Sequence, residues 1–125
     1  MQIEQRTTFI HADDFGITPG QAKAILSLSS SCGGNGALNS VSIFANSPAF
    51  YEAASLAQPY ARRGVLRVCL HLNLVEGPSV ADPKRIPLLV NERGMFDNNF
   101  MGLFKLGITN KGEAFNQLVI ECRSQ

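Results

Sequence analysis

Three short apolar runs alternate along the chain with two segments of helical spacing. The runs are rich in β-branched and aromatic residues, so they predict strands at residues 8–11, 40–45 and 67–74. The segments between them predict two helices, residues 20–29 and 48–57. Strands that alternate with helices form right-handed βαβ units, and the pattern therefore predicts an α/β fold with a parallel sheet.

Capping residues mark the expected start of each helix. Thr18 is placed to cap the first helix, and Pro19 suits its first turn because that position needs no backbone N–H. Residues 46–48, Asn-Ser-Pro, are predicted to cap and start the second helix. The Gly- and Ser-rich residues 29–36 predict a loop that leads to the second strand.

Beyond Gly77 the periodicity weakens, and several prolines predict a loop. Residues 88–90 are expected to form a short strand that ends in a turn at residues 91–94. Residues 98–106 are expected to form a short helix.

A last amphipathic helix is predicted over residues 111–123. Its buried face is expected to consist of Phe115, Leu118, Val119 and Cys122. An α/β layer that stops on a helix after three clear strands predicts that residues 1–125 form a single partial domain.

Charge and hydrophobicity argue against a nucleic-acid-binding protein and a membrane protein. Eleven Lys and Arg stand against ten Asp and Glu, a balance that argues against binding nucleic acid or a membrane surface through a basic face. The apolar runs are too short for a transmembrane helix. The N-terminal sequence MQIEQRTT lacks the apolar stretch of a signal peptide, which predicts a cytoplasmic protein.

Several catalytic classes lack their sequence signatures. Cys32, Cys69 and Cys122 are far apart and form no CxxC pair, so they are expected to be reduced thiols rather than zinc ligands or a nucleophile. No GxGxxG, GxxxxGK[ST] or GxSxG motif occurs, which argues against a nucleotide-phosphate loop and a serine hydrolase elbow.

The predicted strands lead into residues that can carry chemistry. Asp13 and Asp14 follow the first strand, Asn46 follows the second, and the third contains His71 and Asn73. Functional groups gather at the carboxyl ends of parallel strands, so these residues can converge. Adjacent carboxylates repel each other unless a proton or a cation compensates, and a divalent metal bound by one Asp and His71 would do so. The other Asp would then serve as a general base that takes a proton from water.

Each of these residues also has a structural interpretation. Adjacent Asp residues in a turn commonly cap a helix or accept backbone N–H groups. The alternation of LHLNL places His71 and Asn73 on one face, which suits a polar pocket but also a half-buried strand in water. His11 is interpreted as a structural histidine that holds its neighbours by a hydrogen bond.

Three sequence blocks, HADDFGITPG, NSVSIFANSPAF and LHLNLVEGPSV, together resemble the YdjC family of carbohydrate deacetylase-like proteins, which includes chitin-oligosaccharide deacetylases. The resemblance implies an irregular (β/α) barrel, here truncated to its N-terminal half. It also implies a metal-dependent hydrolase that uses magnesium or zinc to remove N-acetyl groups from a carbohydrate. By similarity, Asp13 is the general base, and Asp14 and His71 are metal ligands.

The same resemblance places a third ligand in a His-rich block beyond the last predicted helix, and this chain contains no such block. A two-ligand site is expected to bind a metal weakly, so the chain alone is predicted to be a poor or inactive deacetylase. Two departures from the family pattern, Asn39 in place of a Thr and the Gly-rich residues 29–36, leave the proposed ligands untouched.

A half barrel would leave a sheet edge and an apolar layer uncovered, which predicts a homodimer or a larger homo-oligomer. The alternative to an enzyme is a non-catalytic sugar-binding or assembly module. In that case the carboxylates would bind a sugar or cap a helix.

Overall fold

Strands and helices alternate through the first half of the protein. The computed structural model describes residues 8–125, and the elements of this half are β1 (His11–Phe15), α1 (Pro19–Leu26), β2 (Ser40–Phe44), α2 (Phe50–Arg62) and β3 (Arg67–His71). The strands form a three-stranded sheet in the order β1-β2-β3, and β1 runs parallel to β2. The predicted α/β fold with a parallel sheet is confirmed, although its being part of a truncated (β/α) barrel stays a prediction.

The second half adds a small hairpin and two helices. They are β4 (Glu76–Pro78), β5 (Met95–Asp97), α3 (Phe100–Thr109) and α4 (Lys111–Ser124). The strands β4 and β5 pair antiparallel, with Gly77 opposite Phe96. The helix predicted at residues 98–106 is confirmed as α3.

The described residues divide into two compact units, each with its own apolar core. The first unit runs to Ile43 and resumes over Ala49–Cys69, and the second contains Phe44–Pro48 and Leu70–Gln125. The first core is built by the sheet and α1 with α2: Phe15, Ala22, Leu26, Val41, Ile43, Ala53, Ala57 and Leu66, among others. The second core is centred on Ala81, Ile86, Leu89 and Phe96.

The start of α1 is as predicted. The Thr18 hydroxyl accepts a hydrogen bond from the Gln21 N–H at 3.1 Å, and Pro19 is the first helical residue. The helix ends at Leu26, earlier than expected, and the Gly/Ser-rich loop that follows contains one 3-10 turn at Ser30–Cys32.

The predicted start of the second helix was wrong. The helix α2 begins at Phe50 rather than Pro48, and its N-cap Ala49 has no side-chain cap. Asn46 is not the cap because its side-chain amide donates to the carbonyl oxygens of Glu76 and Pro78, at 3.2 and 3.1 Å. The sequence pattern could not reveal this partner, since it lies 30 residues away.

The predicted strand at residues 88–90 was also wrong. These residues form a turn that buries Leu89 in the second core. The strand β5 instead follows the turn, where the Asn91 side-chain oxygen accepts the N–H groups of Arg93 and Met95.

The predicted buried face of the last helix was wrong as well. The helix itself forms where expected, but the buried residues of α4 are Ala114, Gln117 and Glu121, and Phe115 is 65% exposed. Leu118 packs against the second core as predicted. The polar residues are buried because their hydrogen-bond partners are backbone groups of a distant loop, which periodicity does not reveal.

Gly16 closes β1 in a conformation that suits glycine alone. Its φ is +93°, and a Cβ added there would lie 2.8 Å from the Ala53 Cβ. We expect Gly16→Ala to lower the free energy of unfolding by about 1–3 kcal/mol, from both backbone strain and overpacking. The matched control is Gly107→Ala within α3, where the added Cβ meets nothing within 4 Å and should stabilise by about 0.5–1 kcal/mol. Urea unfolding measures both, and equal stability of Gly16→Ala and wild type would contradict this packing.

Large apolar side chains remain exposed on the outer strand β3 and on α3, among them Val68, Leu70, Phe100, Met101 and Phe104. They are compatible with self-association, which stays a prediction.

Across residues 8–125, none of the helices is both long and apolar enough to cross a bilayer. The polar N-terminal stretch behind the cytoplasmic prediction falls mostly outside the described residues.

Candidate functional site

The acidic pair Asp13-Asp14 lies inside β1 rather than after it. The register pairs Ala12 with Val41 and Phe15 with Ile43, so two residues of β1 stand opposite Ser42 alone. This is a β-bulge, a feature that bends a strand and redirects its side chains, and that is common beside active sites. The prediction that the first strand ends at the carboxylates was therefore wrong, because β1 continues through the bulge to Phe15.

Asp14 has a strained backbone. Its φ is +60°, and it is the one non-glycine residue with positive φ in residues 8–125. Asp tolerates this region better than most residues, yet such a conformation persists only where the surroundings impose it. Simple alternation along a strand therefore does not describe where the two carboxylates point.

Gln21, which sequence analysis did not single out, holds the turn after the bulge. Its side-chain amide donates to the Asp14 carbonyl oxygen at 2.6 Å. Its oxygen accepts the backbone N–H groups of Gly16 and Ile17, at 3.1 and 3.2 Å. One side chain of α1 thus fixes both the strained residue and the chain that leaves it.

Two side chains contact the same oxygen of Asp13, Oδ1. The Ser42 hydroxyl donates to Oδ1 at 2.9 Å, and His11 Nε2 lies 3.2 Å from the same atom. His11 Nδ1 is 2.7 Å from the Ser40 hydroxyl. The pattern fits an imidazole that carries its proton on Nε2 and accepts from Ser40 on Nδ1. His11 therefore has the hydrogen-bonding role expected from the sequence, and it orients a carboxylate whose side chain is 70% exposed.

His71 is the last residue of β3 and belongs to the second unit. Its imidazole lies against the Phe44 ring, with centroids 4.3 Å apart and planes tilted by 40°. The third strand was predicted to reach residue 74, but it ends at His71. Asn73 lies beyond it, where its side-chain oxygen accepts the N–H groups of Val75 and Glu76 and closes a tight turn.

The predicted site residues therefore fall in two places. Asp13 and Asp14 share the bulge of the first unit, and His71 ends β3 in the second. In the part of the chain that the structure describes, no three His, Cys, Asp or Glu side chains gather in a way that could hold a metal ion.

The three cysteines differ in burial. All three are free thiols, and Cys32 is buried. Burial, and then the nearby Glu121 charge, raise the pKa of the Cys122 thiol, which lowers its thiolate fraction at neutral pH.

A family model described as YdjC-like protein matches residues 8–125. Two curated relatives are similar over 91 residues, or 73% of this chain. One is a carbohydrate deacetylase from Thermoanaerobacter pseudethanolicus, 34% identical, and the other a carbohydrate deacetylase from Geobacillus stearothermophilus, 37% identical. The matched segment spans 34% and 33% of their respective lengths, so the match covers about a third of each relative.

A crystal structure from Enterococcus faecalis has a similar fold. The protein in that structure is described as a candidate cellobiose-phosphate cleavage protein. Its sequence is 28% identical to this chain, and the TM-score between the two structures is 0.70. The similarity covers 93% of this chain and 42% of that one. The arrangement of strands and helices described above therefore recurs in a longer protein.

Proposed function

Because this chain belongs to the YdjC-like protein family, we propose that it carries the general base and two metal ligands of a carbohydrate deacetylase. The reaction is hydrolysis of the acetamide of an N-acetylated amino sugar or oligosaccharide, which yields an amine and acetate. The β1 bulge supports this proposal most, because it combines two adjacent carboxylates with a strained backbone at Asp14. We also propose that the order from β1 to β3 begins an irregular (β/α) barrel.

Asp13 is the proposed general base. The hydrogen bonds from Ser42 and His11 to its Oδ1 restrict the carboxylate to one orientation. In that orientation it accepts a proton from the water that attacks the acetamide carbonyl carbon. General-base assistance of this kind contributes about 10²- to 10⁴-fold to a rate.

Asp14 and His71 are the proposed metal ligands. A carboxylate and an imidazole suit zinc and other divalent first-row ions, while magnesium prefers oxygen donors alone. The donor types therefore fit such an ion, although two donors form a partial set. When bound, the ion polarises the substrate carbonyl and stabilises the negative charge that develops on its oxygen. Two protein ligands are expected to hold the ion weakly, and the chain alone is expected to turn over slowly.

Acetate release tests the proposed function. We expect the chain to release acetate slowly from N,N′-diacetylchitobiose in the presence of Zn²⁺ or Mg²⁺, and to stop when a chelator is added. An enzyme-coupled acetate assay measures the rate, with cellobiose as a control that carries no acetyl group. Binding of the disaccharide without acetate release, and with an affinity that neither metal changes, would contradict the proposal and favour a non-catalytic sugar-binding module.

A further inference from the structure

One face of α4 carries polar side chains at every fourth residue. They are Glu113, Gln117, Glu121 and, immediately after the helix, Gln125, and we call them the polar ladder. Residues four apart lie on the same face of a helix. Gln117 is 2% exposed and Glu121 is fully buried, so these two residues are turned towards the protein interior, while Glu113 is exposed. Burying such groups is costly unless they are hydrogen-bonded.

The two buried residues of the polar ladder, Gln117 and Glu121, accept hydrogen bonds from backbone N–H groups of the segment that follows β3. Gln117 Oε1 accepts the Leu88 N–H at 2.8 Å. The Glu121 carboxylate accepts the N–H groups of Val80 and Ala81, at 3.1 and 2.9 Å. The buried polar residues of α4 therefore fix a loop, while Leu118 of the same helix packs against the second core.

The side-chain amide of Gln125 forms hydrogen bonds with both the backbone N–H and the backbone carbonyl of Asn73, and we call this pair of bonds the clamp. Its Oε1 accepts the Asn73 N–H at 3.0 Å, and its Nε2 donates to the Asn73 carbonyl oxygen at 2.7 Å. The same Nε2 donates to Glu121 Oε1 at 2.8 Å. The buried carboxylate of Glu121 thus fixes the orientation of the amide, and both hydrogens of that amide are used.

Asn73 lies two residues beyond His71, so the clamp acts where the chain leaves β3. On its other side, Asn73 closes the following turn through its hydrogen bonds with Val75 and Glu76. His71 is further restricted by the Phe44 ring. Contacts from Gln125, immediately after α4, and from Phe44 therefore restrain the chain where β3 ends.

We propose that Gln125, oriented by Glu121, is a positioning residue for the His71 imidazole. The proposal rests on His71 being a metal ligand in the proposed function. Partners that orient a ligand without touching the metal affect metal affinity about 10- to 100-fold. Gln125 exerts this effect through the backbone, by fixing the residue two places after the ligand.

The test compares two substitutions on the same ladder. Gln125→Met removes the clamp on Asn73, while Gln117→Met removes a buried hydrogen bond to Leu88, which is farther along the chain from His71. With Zn²⁺ alone as the probe, calorimetry should give a 10- to 100-fold lower affinity for Gln125→Met and a change of less than about twofold for Gln117→Met. Unchanged affinity in Gln125→Met, or an equal loss in both variants, would overturn the proposal.

A second readout needs no metal and separates this inference from the proposed function. The ¹H–¹⁵N resonances of the His71 ring and the exchange rate of the Asn73 amide are expected to change in Gln125→Met and not in Gln117→Met. If His71→Gln leaves Zn²⁺ affinity unaltered, the ligand assignment fails and these resonances alone decide the positioning role. Identical His71 resonances in Gln125→Met and wild type would contradict it.

Discussion

Asp13→Asn is expected to lower the rate of acetate release by about 10²- to 10⁴-fold relative to the wild-type chain. The amide oxygen of Asn can still accept the Ser42 hydroxyl, so the geometry of the bulge is kept. An amide cannot take a proton from water at neutral pH, and the loss is therefore one of chemistry rather than of folding. The measurement is the metal-dependent rate of acetate release at saturating N,N′-diacetylchitobiose.

Asp97→Asn is the matched control for this substitution. Asp97 is an exposed residue at the end of β5, so the same chemical change there should leave the rate within about twofold of wild type. Circular dichroism and urea unfolding establish that both variants are folded. A folded Asp13→Asn variant with the wild-type rate would remove Asp13 from the reaction.

The second large effect is expected at Glu121. Glu121→Leu leaves the N–H groups of Val80 and Ala81 and the Gln125 amide without their acceptor. The Ala81 N–H is buried, and a buried donor left unsatisfied costs about 1–3 kcal/mol, so with the two partly buried donors we expect the free energy of unfolding to fall by about 2–5 kcal/mol. Urea unfolding measures the loss, and hydrogen exchange should show that the Val80 and Ala81 amides lose their protection.

Two further variants make the Glu121 prediction specific. Glu121→Gln keeps one acceptor oxygen but turns an amide N–H₂ towards other donors, so an intermediate loss is expected. Glu92→Gln removes a charge from an exposed residue and should change stability by less than about 0.5 kcal/mol. Retained amide protection and full stability in Glu121→Leu would contradict the role assigned to the polar ladder.

Local sequence signals predicted the order of strands and helices in the first half of the fold, although several of their ends differ from the prediction. Thr18 and Pro19 mark the start of α1 because capping depends on neighbouring residues only. The β-branched run that forms β2 is similarly local. The resemblance drawn from three sequence blocks is confirmed by the family match over residues 8–125.

Elements determined by distant partners were predicted less well. Asn46 looked like a helix cap, but its partners are carbonyl groups 30 and 32 residues away. The buried face of α4 was assigned to apolar residues because periodicity counts hydrophobicity, whereas Glu121 is buried by hydrogen bonds to a loop 41 residues earlier. The spacing of the polar ladder was visible in the sequence, but nothing local identified what it binds.

The sequence indicated which residues belong to the candidate site, but it did not indicate how they are arranged. The adjacent residues Asp13 and Asp14 are a signal in the sequence, because like charges at a strand require a compensating partner. The bulge could not be foreseen, since it depends on the register of β1 against β2. Gln21, which holds the Asp14 carbonyl, gave no sequence signal beyond its place in the first turn of α1.

The proposed function requires Asp14 and His71 to bind one divalent ion, with Asp13 as the general base. Zinc titration by calorimetry tests it in the wild type, Asp14→Asn and His71→Gln, with Asp97→Asn as the control. Asn is chosen at residue 14 because it tolerates the φ of +60°. We expect one site whose affinity for Zn²⁺ falls at least about tenfold in each ligand variant and stays unchanged in the control. Equal Zn²⁺ affinity in all four proteins would contradict it.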